Sequence, residues 1–129
     1  MKKFKIDKPR EECGVFGISD HEDSSALVAL GLHALQHRGQ EGCGISSFDG
    51  KKFHLEKRQG LVGDHFTDQE VIRKLPGKFA IGHNRYSTTG EVSLRNIQPF
   101  FADLYTGGVS LAHNGNLTNA IELRNNLVK

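Results

Sequence analysis

Glu11-Glu12-Cys13-Gly14-Val15-Phe16-Gly17-Ile18 sets a cysteine at the mouth of a short apolar run, directly after a charged dozen residues. Val15, Phe16 and Ile18 carry the β-branched or aromatic side chains of a buried strand, while Gly14 and Gly17 clear side chains from around the thiol. A strand starting here would hold the Cys13 sulfur rigidly at its own beginning. The chemistry that fits this placement is a nucleophile that becomes an amino terminus. A free α-amino group titrates at about 7.7 to 8.0 and an ordinary thiol at about 8.5, so near neutral pH part of the amine is an unprotonated base beside its own side chain. Such a device requires a cut before Cys13. Residues 1–12, polar, without a period and holding four lysines and one arginine, read as a leader removed on maturation. Taken alone, a cysteine before a glycine is more often a small core residue.

With 129 residues the chain forms one small domain at most, able to bury roughly two-thirds of its unfolded surface. Its 17 basic and 15 acidic residues leave a net charge of only +2, and no basic stripe with interleaved aromatics marks a nucleic-acid partner. The apolar runs are too short to span a bilayer. Lys2 and Lys3 are followed by Asp7, Glu11 and Glu12 rather than by an apolar stretch, so the start is not a secretory signal and the expected compartment is the cytoplasm. In that reducing setting Cys13 and Cys43 are expected as free thiols.

Ser24 or Ser25 is placed to cap a helix whose Leu27, Leu30, Leu32 and Leu35 follow a 3.6-residue period, ending near His37-Arg38-Gly39. His33 and His37 have a spacing able to hold zinc, but no HExxH pattern or second Cys/His pair completes a site. Cys43 to Phe48 and Lys52 to Lys57 read as strands joined by the Asp49-Gly50 turn. Thr67-Asp68-Gln69-Glu70 has the form of a capping box before a short helix closed by Pro76-Gly77, and Lys78 to Tyr86 returns as a strand. Ser87 to Gln98 offers little to bury and reads as a mobile loop with a job. Phe100 to Leu104 and Val109 to His113 pair across Tyr105-Thr106-Gly107-Gly108. Asn116 or Thr118 then starts a last helix, with Leu117, Ile121 and Leu127 near one face. That helix meets no glycine or proline stop, so the domain is expected to be truncated at Lys129.

Asn114-Gly115 is a hairpin signal by type, yet a helix pattern follows it. A strand-to-helix junction aims backbone N–H groups at one point, where they and an asparagine amide could stabilise an oxyanion; a polar turn explains the pair equally well. Arg85, beside Tyr86 and Thr88 at the root of the loop, is a residue type that forks onto carboxylates, though an exposed strand-end arginine would look the same.

Four separated segments, CGVFGI, LHALQHRGQEGCGI, IGHNRYSTTG and LAHNGNLTNAIELR, agree in order and spacing with the glutaminase domain of class II glutamine amidotransferases, which this chain resembles from about Glu11 to its last residue. The wording of QHRGQEG and HNGNLTN, and the leader, favour the branch that feeds purine synthesis over the sugar-phosphate branch. The resemblance implies an α+β fold, the four-layer α-β-β-α arrangement of N-terminal-nucleophile hydrolases. It implies that Cys13 attacks the side-chain amide of glutamine with its own α-amino group moving the proton. Asn114, through its amide, and Gly115, through its N–H, match the oxyanion hole. Arg85 matches the arginine for the glutamine α-carboxylate, and Tyr86 and Thr88 lie on the loop over the substrate. Arg38 and Gly39 match a turn that shapes the site.

By the same resemblance, residues 13–129 are the N-terminal part of a glutaminase domain, and the phosphoribosyltransferase domain that would spend the ammonia on phosphoribosylpyrophosphate lies outside them. The aspartate for the substrate's ammonium is outside too, so the piece alone is expected to be inactive. No cofactor is implied here; magnesium and an iron–sulfur cluster would belong to the remainder, as would assembly into a homo-oligomer. The competing reading is a non-catalytic amidotransferase-like docking or regulatory module with Cys13 unprocessed. A thiol-redox protein is a third, with Cys43 as the candidate resolving thiol.

Overall fold

The computed structural model describes residues 13–36, 40–86, 93–115 and 117–129. The first strand, β1 (Gly14–Ile18), is followed by helix α1 (Ser24–Ala34), then strands β2 (Gln40–Phe48) and β3 (Phe53–Gln59). Two short helices, α2 (Val62–His65) and α3 (Gln69–Arg73), lead to β4 (Phe79–Tyr86). A 3-10 turn at Leu94–Asn96, a hairpin of β5 (Phe100–Leu104) and β6 (Gly107–Leu111), and helix α4 (Ala120–Leu127) complete the order.

The first four strands form one antiparallel sheet in the order β1-β4-β2-β3. Because side chains alternate across a strand, each strand splits its residues between two faces. One face takes α1: Val28 and Leu32 lie against Gly82 so closely that a Cβ at that glycine would come within 2.6 Å of both. Cys43, Ile45 and Ala80 join Val28, Ala29 and Leu32 in the buried core, which Val62, Phe66 and Leu75 extend. The other face takes the chain after β4. Ile97, fully buried, lies over Gly42, and the Gln98 carbonyl would sit 2.2 Å from a Cβ at Gly44. The β5–β6 hairpin joins the same layer through Phe101 against Phe53, ring centroids 5.3 Å apart, and through Phe100 beneath the Lys57 ammonium.

The hairpin expected at Asp49-Gly50 is present, and its sharpness has a plain source. The Asp49 carboxylate accepts the N–H groups of Lys51 and Lys52 at 2.8 and 2.9 Å, and Gly50 takes φ +96°. Several local expectations are corrected. Ser24 and Ser25 do not cap α1; both are buried and donate their hydroxyls to the carbonyls of Gly77 and Leu75, and the N-cap position falls on Asp23. Leu30, expected on the apolar face, is 67% exposed, while Val28 and Ala29 are buried. The capping box is shifted by one: Asp68 caps α3 by accepting from the Glu70 N–H, and the Thr67 hydroxyl donates to the Gly63 carbonyl of α2. Ile97 shows that the segment before Gln98 does bury something. The last helix starts at Ala120 rather than near Leu117, and its expected apolar face, Leu117, Ile121 and Leu127, is exposed. Three layers are therefore described, a helix, a sheet and a hairpin, with α4 outside them. Among the described residues no helix is long and apolar enough to cross a membrane.

Candidate active site

The sheet order decides where the Cys13 thiol lies. β1 pairs with β4 in the register Gly14 to Asn84, so Cys13, one residue before the strand, arrives at the C-terminal end of β4. Its sulfur accepts the Tyr86 N–H at 3.5 Å, and its thiol faces the Tyr86 carbonyl at 3.8 Å. Cys13 is half-buried. The sulfur is thus held at the strand end, partly open to solvent and offered one backbone N–H.

Two segments from later in the chain close around it. Asn114 donates its side-chain Nδ2–H to the Cys13 carbonyl at 2.9 Å, across 101 positions of sequence. The loop that carries Asn114 is tied down by the preceding residue, whose N–H donates to Gln98 Oε1 at 2.6 Å. Gln98 is itself seated on the sheet at Gly44. Gly115 has φ +139°, a conformation that side-chain-bearing residues rarely adopt, so glycine here fixes the direction of the following backbone. Arg85, half-buried on β4, donates Nη1–H to the Asn96 carbonyl at 2.8 Å, and no other hydrogen bond from its five-donor fork reaches a described residue. Tyr86 is exposed at the end of the strand.

Cys13, Arg85, Tyr86, Asn114 and Gly115 are thus brought to one end of the sheet. Residues 1–12, Arg38, Gly39 and Thr88 lie outside the described residues, and so does His37 of the possible zinc pair. Among the described residues no group of three or more His, Cys, Asp and Glu gathers to hold a metal ion. Cys43 is not a resolving thiol. It is buried beneath α1 in the core, and that burial pushes its thiol up to about 12, far from the reactive range.

The sequence reading passed over His83. It lies two residues before Arg85 on β4 and so shares its face, with 1% of its surface exposed. Burial above all, helped by the positive charges of His113 and Arg85, pulls the imidazole down to about 4, so it is neutral at physiological pH. The His113 backbone and the Asn114 side chain lie close enough to oppose that shift in part. Neither ring nitrogen completes a hydrogen bond to a described residue. The signal that could have found it was parity with Arg85 in the run IGHNRY. Asn96 and Gln98, which brace the site from below, had none.

Known proteins resemble this chain in sequence and in fold. Residues 13–128 match the family described as glutamine amidotransferases class-II. An amidophosphoribosyltransferase of Rhizobium etli is 61% identical over 122 residues, covering 95% of this chain and 25% of that protein. That of Bacillus subtilis is 50% identical over 118 residues, covering 91% of this chain and 25% of its own length. A solved structure described as the allosteric regulatory enzyme of purine biosynthesis superposes with a TM-score of 0.80 at 47% identity, over 88% of this chain and 24% of that one. Glutamine phosphoribosylpyrophosphate amidotransferase from B. subtilis, complexed with ADP and GMP, gives 0.76 at 45%, with the same coverage. The chain spans about a quarter of the length of these relatives.

Proposed function

The chain belongs to the class-II glutamine amidotransferases, and from that premise we propose that it hydrolyses glutamine with Cys13 as nucleophile and supplies the ammonia for making 5-phosphoribosylamine from phosphoribosylpyrophosphate. The observation that carries this reading is the hydrogen bond from the Asn114 amide to the Cys13 carbonyl, which joins the thiol and an amide donor in one site. The names of the relatives support the purine branch: they are amidophosphoribosyltransferases, and a similar solved structure is described as the allosteric regulatory enzyme of purine biosynthesis. Under this reading residues 1–12 are removed and the fold continues to the four-layer α-β-β-α arrangement of N-terminal-nucleophile hydrolases, with α4 in the outer helical layer. Phosphoribosyl transfer, and any magnesium, belong to the rest of a longer enzyme.

The steps follow from the groups present. Freed of the leader, the Cys13 α-amine takes the thiol proton, and the sulfur attacks the side-chain carbonyl carbon of glutamine. The carbonyl oxygen becomes an anion that accepts from the Asn114 Nδ2–H and the Gly115 N–H. Collapse of that intermediate breaks the C–N bond; the protonated α-amine returns its proton to the leaving nitrogen, giving ammonia and a thioester on Cys13. Water, deprotonated by the same amine, then hydrolyses the thioester to glutamate and the free thiol. Arg85 receives the glutamine α-carboxylate with the donors that Asn96 does not occupy.

The test is the mass of the mature full-length enzyme together with its use of two nitrogen donors. A chain starting at Cys13 that forms phosphoribosylamine with glutamine, and releases one glutamate for each, is the expected result. An active enzyme that retains residues 1–12 would overturn the mechanism.

A further inference from the structure

The buried His83 imidazole has a job in that chemistry which neither its burial nor its strand explains. It is 1% exposed, yet among the described residues neither Nδ1 nor Nε2 has a hydrogen-bond partner, and a buried polar group left unpaired costs roughly 1 to 3 kcal/mol. Its place on β4 is fixed from both sides, by Val15 of β1 and Gly44 of β2 in the sheet register. Gly44 is the point at which the Gln98 backbone sits on the sheet, and Gln98 holds the N–H of His113. The next residue is Asn114. The imidazole therefore lies in the floor beneath the loop that presents the Asn114 amide to Cys13.

We infer that His83 is a positioning residue for Asn114: one neutral ring N–H donates to the Asn114 side-chain oxygen, which keeps the amide NH2 turned toward the reacting carbonyl. An asparagine amide has two ends that differ only in donor and acceptor character. In this site the nitrogen end must face the developing anion, since the oxygen end would repel it. Asn114 is exposed and, among the described residues, its nitrogen is held by one backbone carbonyl, that of Cys13. Once the NH2 turns toward substrate, a donor beneath the oxygen end sets which way the amide points. Neutral histidine supplies such a donor, and a charged side chain at this depth would not be tolerated. Hydrogen bonds of this kind are commonly loose before substrate arrives and close in the complex. The inference rests on the oxyanion role of Asn114 proposed above.

The experiment uses the full-length enzyme, with glutamine and with ammonium as alternative nitrogen donors. His83→Phe should lower the glutamine-dependent kcat roughly 10- to 100-fold, leaving KM for glutamine within about twofold and the ammonia-dependent rate unchanged. His83→Gln, which keeps an N–H donor, should recover most of that loss. In the Asn114→Ala background His83→Phe should cost nothing further, since the residue acts through that amide. Full glutamine activity in His83→Phe, or losses that multiply in the double variant, would overturn the inference. If His83→Phe also loses the ammonia reaction, the wild-type imidazole decides. One fixed neutral tautomer by 15N NMR, whose protonated nitrogen shifts on Asn114→Ala, is the expected result, and an average of two tautomers indifferent to Asn114→Ala would overturn it. A wild-type enzyme that does not use glutamine would instead refute the proposed function.

Discussion

Asn114 and Cys13 are 101 residues apart in sequence, and the side-chain amide of one donates to the backbone carbonyl of the other at 2.9 Å. That contact brings the amide to the residue that carries the thiol. Asn114→Ala is therefore expected to lower glutamine turnover roughly 10²- to 10³-fold with little change in KM, because the lost bond strengthens mainly in the transition state. Steady-state kinetics check it; a raised KM with normal kcat would make Asn114 a substrate-holding residue instead.

Cys13→Ala should abolish glutamine-dependent synthesis and leave the ammonia-dependent reaction largely intact, since only the first needs a thiol. Loss of both would mean a folding defect. Thiol labelling of the native Cys13→Ala protein, read by peptide mapping, should find Cys43 unmodified until the protein is unfolded, because it lies in the core with its thiol pushed up to about 12.

Arg85, half-buried, donates one guanidinium N–H to the Asn96 carbonyl. Arg85→Ala should raise KM for glutamine at least roughly tenfold, with a smaller effect on kcat, by removing a carboxylate partner that binds ground state and transition state alike. Unchanged saturation by glutamine would exclude the pairing.

At Gly44 a Cβ would lie 2.2 Å from the Gln98 carbonyl oxygen, a backbone atom that cannot swing away. Gly44→Ala should destabilise the domain by roughly 1 to 3 kcal/mol, as overpacking of a close contact does. It should also lower glutamine turnover, because Gln98 holds the loop of Asn114 through the N–H of His113. Urea unfolding and kinetics on the same variant test both halves, and wild-type behaviour in each would show that the layer repacks freely.

Burial holds His83 at about 4, against 6.5 for an ordinary histidine. Between those values the unfolded chain binds a proton that the folded one refuses, so its contribution is complete above about pH 6.5 and lost as pH falls toward 4. The difference of two to three units corresponds to about 3 kcal/mol. His83→Phe should flatten that part of the stability curve relative to wild type, as read from thermal midpoints between pH 4 and 7. Parallel curves would show that the imidazole already titrates normally.

Much of the architecture was legible because it is local. The Asp49-Gly50 turn, the strand from Lys78 to Tyr86 and the strand after Cys13 depend on residues within a few positions of one another, and these two strands appeared within a residue of where the pattern put them, while β2 began three residues before Cys43. Where the reading failed, a distant partner had outbid a local one: Ser24 and Ser25 look like caps, but the carbonyls of Gly77 and Leu75 lie closer to hand once α1 is packed.

For the site, sequence supplied the residue types and a resemblance that grouped Cys13, Arg85, Asn114 and Gly115. It could not supply their meeting. That depends on β1 pairing with β4 rather than with β2, its neighbour in chain order, and on Ile97 and Gln98 closing over the glycines of β2. Neither pairing has a local signature, because strand order and layer contacts are settled by which apolar faces can be buried together. His83 shows the same division: its parity with Arg85 was written in the chain, but its burial under the Asn114 loop, and hence its neutral imidazole, was decided only when a second layer covered the sheet.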